Sequence, residues 1–217
     1  MDATEAARRE AERIHKAAVA DGVDPWNLLE LVSREAARRD LDVYALATGD
    51  SALKGGRAVL DREAECILYE DIGSAFDRAF LIAHELGHFV LEDDAQTVVT
   101  GEVEPGRSAE DAPVGVERVL DYGARERREV RMDLFARELL LPRSMVRHHY
   151  IDWGCSSADI ATRLGAPLQV VQQQLLDSLL LPNELPAVVE PTAAAAVPTP
   201  DPTQMEAANH RNTAFQL

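Results

Sequence analysis

The stretch from Ala79 to Leu91 constrains this chain more than any other. It reads A-F-L-I-A-H-E-L-G-H-F-V-L, an apolar, helix-like stretch that supports a metal-site reading of the motif within it. Its middle carries His84, Glu85 and His88. Histidines at i and i+4 project from one helix face. That is the spacing at which a zinc ion takes two imidazoles, with the adjacent glutamate placed to polarise a metal-held water. The bare H-E-x-x-H pattern arises by chance in many proteins, and ordinary helix histidines beside a solvated charge would also produce it. The apolar setting favours the zinc reading. Gly87 inside the helix costs about 1 kcal/mol relative to Ala, which implies that a strand or a second helix approaches the backbone closely there.

A chain of 217 residues holds one catalytic domain with a buried core plus a small appendage or tail. The formal charge of -16 opposes nonspecific attraction to nucleic-acid phosphates or anionic membranes. Cys66 and Cys155 form no C-x-x-C, so neither a disulfide framework nor a thiolate zinc site is indicated, and a reducing cytoplasm fits. Met1 to Ala20 alternates Ala with Glu, Arg and Lys and lacks the apolar centre of a signal peptide or membrane span. A soluble cytoplasmic protein is expected, with no membrane partner and no direct nucleic-acid binding by residues 1–181.

Helical spacing runs from Thr4 to Ala20 and from Pro25 to Arg39, the second opening with Asp24 as N-cap and Pro25 at N1. Leu41 to Ala47, Arg57 to Asp61 and Glu65 to Glu70 read as strands of a small antiparallel sheet, with a turn at Gly55-Gly56. Ser74 and Asp77 resemble a capping box, so the motif helix is expected to begin there and run to about Leu91. From Glu92 to Asp121, nine acidic residues stand against two arginines among scattered Gly and Pro, which favours a mobile loop over packed structure. A second strong helix spans about Ala124 to Leu141 and stops at Pro142, with Met132, Phe135, Ala136 and Leu139 as its apolar stripe. Short helices follow near Ser157 to Leu164 and Pro167 to Leu180. Six prolines between Pro182 and Pro202, with the Ala193 to Ala196 run, indicate a semi-extended linker.

A catalytic zinc needs a third protein ligand and an open position for water. His15, His148, His149 and His210 lie in less suitable settings, so a carboxylate is the better candidate. Glu129 falls on the buried stripe of the second helix, where an unpaired carboxylate is costly and metal ligation removes the cost. Glu126, one turn earlier, is its rival, and Glu117 and Asp121 are weaker candidates. Asp133, one turn beyond Glu129, either fixes the tautomer of a ligand histidine or pairs with Arg137. Tyr122, His148 and His149 are candidates for oxyanion stabilisation if they fold over the metal, and surface residues otherwise.

Phe80 to His88 and Glu129-Val130-Arg131-Met132-Asp133-Leu134-Phe135-Ala136-Arg137-Glu138-Leu139-Leu140-Leu141-Pro142 together resemble the ImmA/IrrE family of zinc metallopeptidases. The resemblance covers roughly Ile14 to Leu181. It implies zinc held by His84, His88 and Glu129, with Glu85 as the catalytic glutamate. It also implies an α+β fold: a mainly helical, zincin-like domain with H-E-x-x-H on the active-site helix. Two departures stand out: Met132 where the family usually has Ala, and a longer, more acidic spacer that could act as a lid. Family members often cleave or otherwise inactivate a repressor. The implied activity is zinc-dependent cleavage of a cytoplasmic protein, such as a repressor or other regulator in a stress, DNA-damage or mobile-element response. The strand Glu65 to Glu70 is a candidate edge for an extended substrate.

The resulting division places the metallopeptidase domain at 1–142, a small helix-turn-helix-like extension at 143–181, the linker at 182–202 and a tail at 203–217. The region Pro167 to Leu181 contains no Lys or Arg, so packing or partner contact is expected of it rather than DNA reading. Asp201 to Ala208 looks like the opening of a UvrD-type superfamily 1 helicase, although the chain ends before any Walker A loop. A fused or associated helicase is the partner this implies. The rival function is a non-proteolytic regulatory or interaction module of such a repair protein.

Overall fold

Two amphipathic helices lead the chain: α1 (Ala3–Ala20), burying Ala7, Ala11, Ile14 and Ala18, and α2 (Leu28–Ala37), burying Leu28, Leu31, Val32 and Ala36. The computed structural model from which they are taken describes residues 3–91, 97–107 and 123–180. The start of α2 differs from the sequence expectation. Asp24 accepts from the Trp26 amide in a tight turn, and Asn27 is the N-cap, accepting from the Glu30 amide. The turn closes through Asn27 N to the Asp24 carbonyl, so the helix can begin only after it.

Four strands follow: β1 (Asp42–Leu46), β2 (Ala58–Asp61), β3 (Cys66–Glu70) and, after the motif helix α3 (Ala75–Leu91), β4 (Val98–Thr100). The expected α+β class holds, but the sheet is mixed. Its order is β1-β3-β2-β4, with β1 parallel to β3 and the other two pairings antiparallel. The antiparallel expectation assumed that successive strands pair. Instead the segment after β1, including a 3-10 turn at Ser51–Leu53, carries β2 to the far side of β3. β3 is therefore central, with a neighbour on each side, and Glu65 to Glu70 offers no edge for a substrate. β4 falls within the acidic stretch, where composition gives no strand signal. It lies at the sheet margin among the described residues, where Gly56 makes room for it: a Cβ there would stand 2.6 Å from the Thr100 carbonyl oxygen.

The capping box of α3 forms as the sequence indicates. Ser74 Oγ accepts from the Asp77 amide at 3.2 Å, and Asp77 accepts from the Ser74 amide at 2.8 Å. Every residue from Ala79 to His88 is buried, as an all-round apolar helix requires. The helix packs against α2, β2, β3, β4 and α4 (Ala124–Leu140).

The stripe Met132, Phe135, Ala136 and Leu139 is fully buried, and α4 packs against both α1 and α3. Three further helices, α5 (Arg143–Ile151), α6 (Ser157–Leu164) and α7 (Leu168–Leu180), complete the described chain, and α5 has no counterpart among the sequence expectations. A capping box at Ser156 and Asp159 opens α6, and Gly165 at φ 63° closes it. Met1–Leu181 forms one unit. The linker, the helicase-like tail, most of the acidic spacer, and the candidates Glu117, Asp121, Tyr122 and His210 lie outside the described residues. No described helix is long and apolar enough to cross a membrane.

Candidate metal centre

The helix–helix contact of α3 and α4 creates the site. Gly87 lets the helices meet: a Cβ on it would stand 3.0 Å from both Met132 Sδ and Phe135 Cδ1. The close approach inferred from the sequence is therefore made by the second helix. It brings Glu129 to the two histidines, with ligand atoms of His84, His88 and Glu129 all lying within 4.8 Å of one another. Glu129 Oε2 stands 3.2 Å from His84 Nε2 and 3.7 Å from His88 Nε2. His84 and His88 are buried, and Glu129 is partly exposed. Glu126, the rival ligand, is exposed and is not in the cluster.

Asp133 faces His84 rather than pairing with Arg137. Its Oδ1 lies 3.0 Å from His84 Nδ1. A carboxylate can only accept there, so Nδ1 carries the proton and Nε2 directs its lone pair towards Glu129. Two acceptors facing each other need a proton or a cation between them. Burial works against charge on His84, but the Asp133 and Glu129 carboxylates outweigh it and push the pKa up to about 9. Burial likewise raises Glu129, and the facing imidazoles outweigh it, holding the carboxyl well below its usual range.

A metal fits this donor set on two counts. Zinc bonds of about 2.0–2.1 Å in a tetrahedral site separate their donor atoms by about 3.3 Å, close to the 3.2 and 3.7 Å from Glu129 Oε2 to His84 and His88 Nε2. The second count is Glu85. Its side chain is fully buried, and neither carboxylate oxygen has a hydrogen-bond partner among the described residues. Burial raises its pKa. The Thr100 hydroxyl from β4 helps to support the charged form without reaching hydrogen-bond geometry. An orphaned carboxylate of this kind calls for a water or other donor between it and the histidines.

Three residues that the sequence expectations omit support the site. Thr100 is one. Arg62, on the β2–β3 turn, donates from Nη2 to the His88 carbonyl at 2.8 Å and lies over the Phe89 ring. Arg107 places Nε 3.0 Å from Asp133 Oδ2, which also accepts from the Glu104 amide at 3.3 Å. No local pattern marks Arg107 as a site residue, since it is one of two arginines in the acidic run. His148 and His149 are not brought to the cluster. They sit on α5, where His148 is exposed and pairs with Asp152, and His149 packs between Trp26 and Trp153.

Comparison with known families matches residues 36–176 to the peptidase M78 model, described as the IrrE N-terminal-like domain. That span takes in the sheet, the motif helix, α4, α5 and α6, and most of α7. No curated protein and no solved structure matches the chain.

Proposed function

Because the chain belongs to the IrrE N-terminal-like domain family of M78 peptidases, and so carries a metallopeptidase-like domain, we propose that it is a zinc-dependent endopeptidase acting on a cytoplasmic protein. A repressor or other regulator in a stress, DNA-damage or mobile-element response is the substrate class proposed. One observation carries the reading: His84, His88 and Glu129 converge beside the buried, unpartnered carboxylate of Glu85.

His84, His88 and Glu129 would hold the ion. When bound, zinc supplies Lewis-acid polarisation of a carbonyl and lowers the pKa of water. Glu85 takes the proton of the attacking water on a carboxylate oxygen as the new C–O bond forms. It then passes that proton to the departing amine as the C–N bond breaks. Asp133 holds His84 in the tautomer whose Nε2 is free to ligate. The substrate backbone is proposed to run along β4, since β3 is enclosed within the sheet and β4 carries Thr100 beside Glu85.

The test pairs metal analysis with cleavage of candidate repressors. Glu85→Gln is expected to keep zinc and to lose cleavage by at least about a hundredfold. Glu129→Ala is expected to lose most of its zinc. Undiminished cleavage by Glu85→Gln would reject the mechanism, and full zinc occupancy in Glu129→Ala would reject the ligand set.

A further inference from the structure

The segment 101–107, directly after β4, forms a strap across α4 that is tied at two levels. At the first, Asp133 Oδ2 accepts from the Glu104 amide and forms an ion pair with Arg107, whose Nε lies 3.0 Å away outside hydrogen-bond geometry, while Oδ1 faces His84. At the second, one helical turn further along α4, Arg137 Nη1 donates to the backbone carbonyls of Pro105 and Arg107. The rest of the Arg137 guanidinium is held by α7: Nε donates to Gln174 Oε1 at 2.7 Å and Nη2 to Asp177 Oδ2 at 2.6 Å. Arg137 is 1% exposed and Gln174 0% exposed. A planar guanidinium fixed on two sides by α7 leaves its third side aimed in one direction, at the strap.

We propose that Arg107 is a positioning residue for the metal centre and that Arg137, fixed by α7, sets its place. The chain of contacts runs from α7 through Arg137 to the strap backbone, then through the Arg107 side chain to Asp133 and on to His84. The strap supplies Asp133 with a fixed positive charge and an amide, which leaves its other oxygen to orient the imidazole. Without Arg107, Asp133 is a carboxylate 1% exposed with one fewer counter-charge, and its hold on His84 loosens. The C-terminal helices thereby belong to the apparatus that shapes the site.

This inference rests on the zinc reading above, and its test separates the two. Zinc affinity of the full chain is measured by competition with a chromogenic chelator, together with the melting temperature of metal-free protein. Arg107→Ala is expected to weaken zinc binding by up to about tenfold, the lower end of the range for losing a ligand's own outer partner, because Arg107 acts one contact further out through Asp133. Its metal-free melting temperature should fall by no more than about 2–4 °C. Arg107→Lys, which restores a cation beside Asp133, is expected to recover part of the loss. Arg137→Lys keeps a charge for Asp177 but cannot hold Gln174 and the strap at once, so it should also weaken zinc binding. Combining it with Arg107→Ala should add little, because both act through one path. Zinc affinity within about twofold of wild type in Arg107→Ala, or fully additive losses in the double variant, would overturn the proposal alone. Failure of the wild-type chain to bind zinc would overturn it together with the zinc reading.

Discussion

Gly87 stands where the two ligand-bearing helices come closest, and the absence of its side chain sets the spacing of the metal centre. Alanine gains about 1 kcal/mol of helix propensity, while the added methyl would press on Met132 Sδ and Phe135 Cδ1, both at 3.0 Å. The thioether can move aside, but the Phe135 ring is fully buried. Overpacking of this kind costs about 1–3 kcal/mol, so Gly87→Ala should change overall stability by little and zinc affinity by much, since α4 must retreat with Glu129. Chelator competition beside urea unfolding would measure both, and unchanged zinc affinity would mean that α4 can yield without moving its ligand. The H-E-x-x-H residues were legible in the sequence because two histidines and a glutamate inside an otherwise apolar helix need partners, and one metal ion with its water satisfies all three. The third ligand was less so. Glu126 and Glu129 are three residues apart, hence neighbours on one helix surface, and only the position of α3 across from them selects Glu129. Arg107 and Thr100 were not legible as site residues, because their role depends on a strap and a three-residue strand rather than on any local pattern.

At the scale of elements, the long periodic segments were readable and the short ones were not. α1, α3 and α4 follow from apolar spacing and from the Ser74–Asp77 cap, whereas Val98–Thr100 is too short for alternation to stand out within an acidic run. Strand pairing order also depends on where a connection carries the chain, so the parallel β1–β3 pair could not be read locally. The α1–α4 contact carries its own prediction. His15 on α1 is 5% exposed, and its Nδ1 must donate to the Leu139 carbonyl at 2.8 Å, since a carbonyl only accepts. Burial lowers its pKa below the ordinary 6.5, the Leu139 carbonyl and Glu12 opposing and Lys16 assisting. The unfolded chain therefore binds the His15 proton more readily than the folded one. The stabilising contribution is full above pH 6.5 and is lost as pH falls through the depressed folded value. His15→Gln keeps a donor for the carbonyl and does not titrate. The difference in urea midpoint between wild type and His15→Gln should shift in favour of the variant as pH drops below about 6.5. A difference that stays constant from about pH 7.5 to about pH 5 would show that the ring is not held neutral.

For the molecule as a whole, the informative surprise is that the C-terminal half of α4 is buried all round, its polar residues included. Asp133, Arg137 and Glu138 are each 1% exposed. No local pattern in the sequence tells a solvated Arg137 from one buried beneath another helix. Here α7 supplies the counter-groups. Asp177 accepts from Arg137 Nη2 and from Arg8 Nη2 on α1, both at 2.6 Å, and Gln174 also donates to Glu138 Oε2 at 2.9 Å. Burial pulls the Arg137 pKa down to about 10, with Asp177 opposing the fall, so the group stays charged at neutral pH. One carboxylate thus neutralises guanidinium groups from two other helices. Removing it leaves two buried cations facing each other, and breaking a buried pair in this way costs about 3–5 kcal/mol. Asp177→Leu should lower the urea midpoint accordingly. Adding Arg8→Met to that variant should recover part of the loss, since it removes one of the stranded charges and fills the space with apolar volume. If Asp177→Leu costs less than about 1 kcal/mol, the size of a surface ion pair, then α7 is held by its apolar contacts and the charge cluster contributes little to joining the C-terminal helices to the rest of the unit.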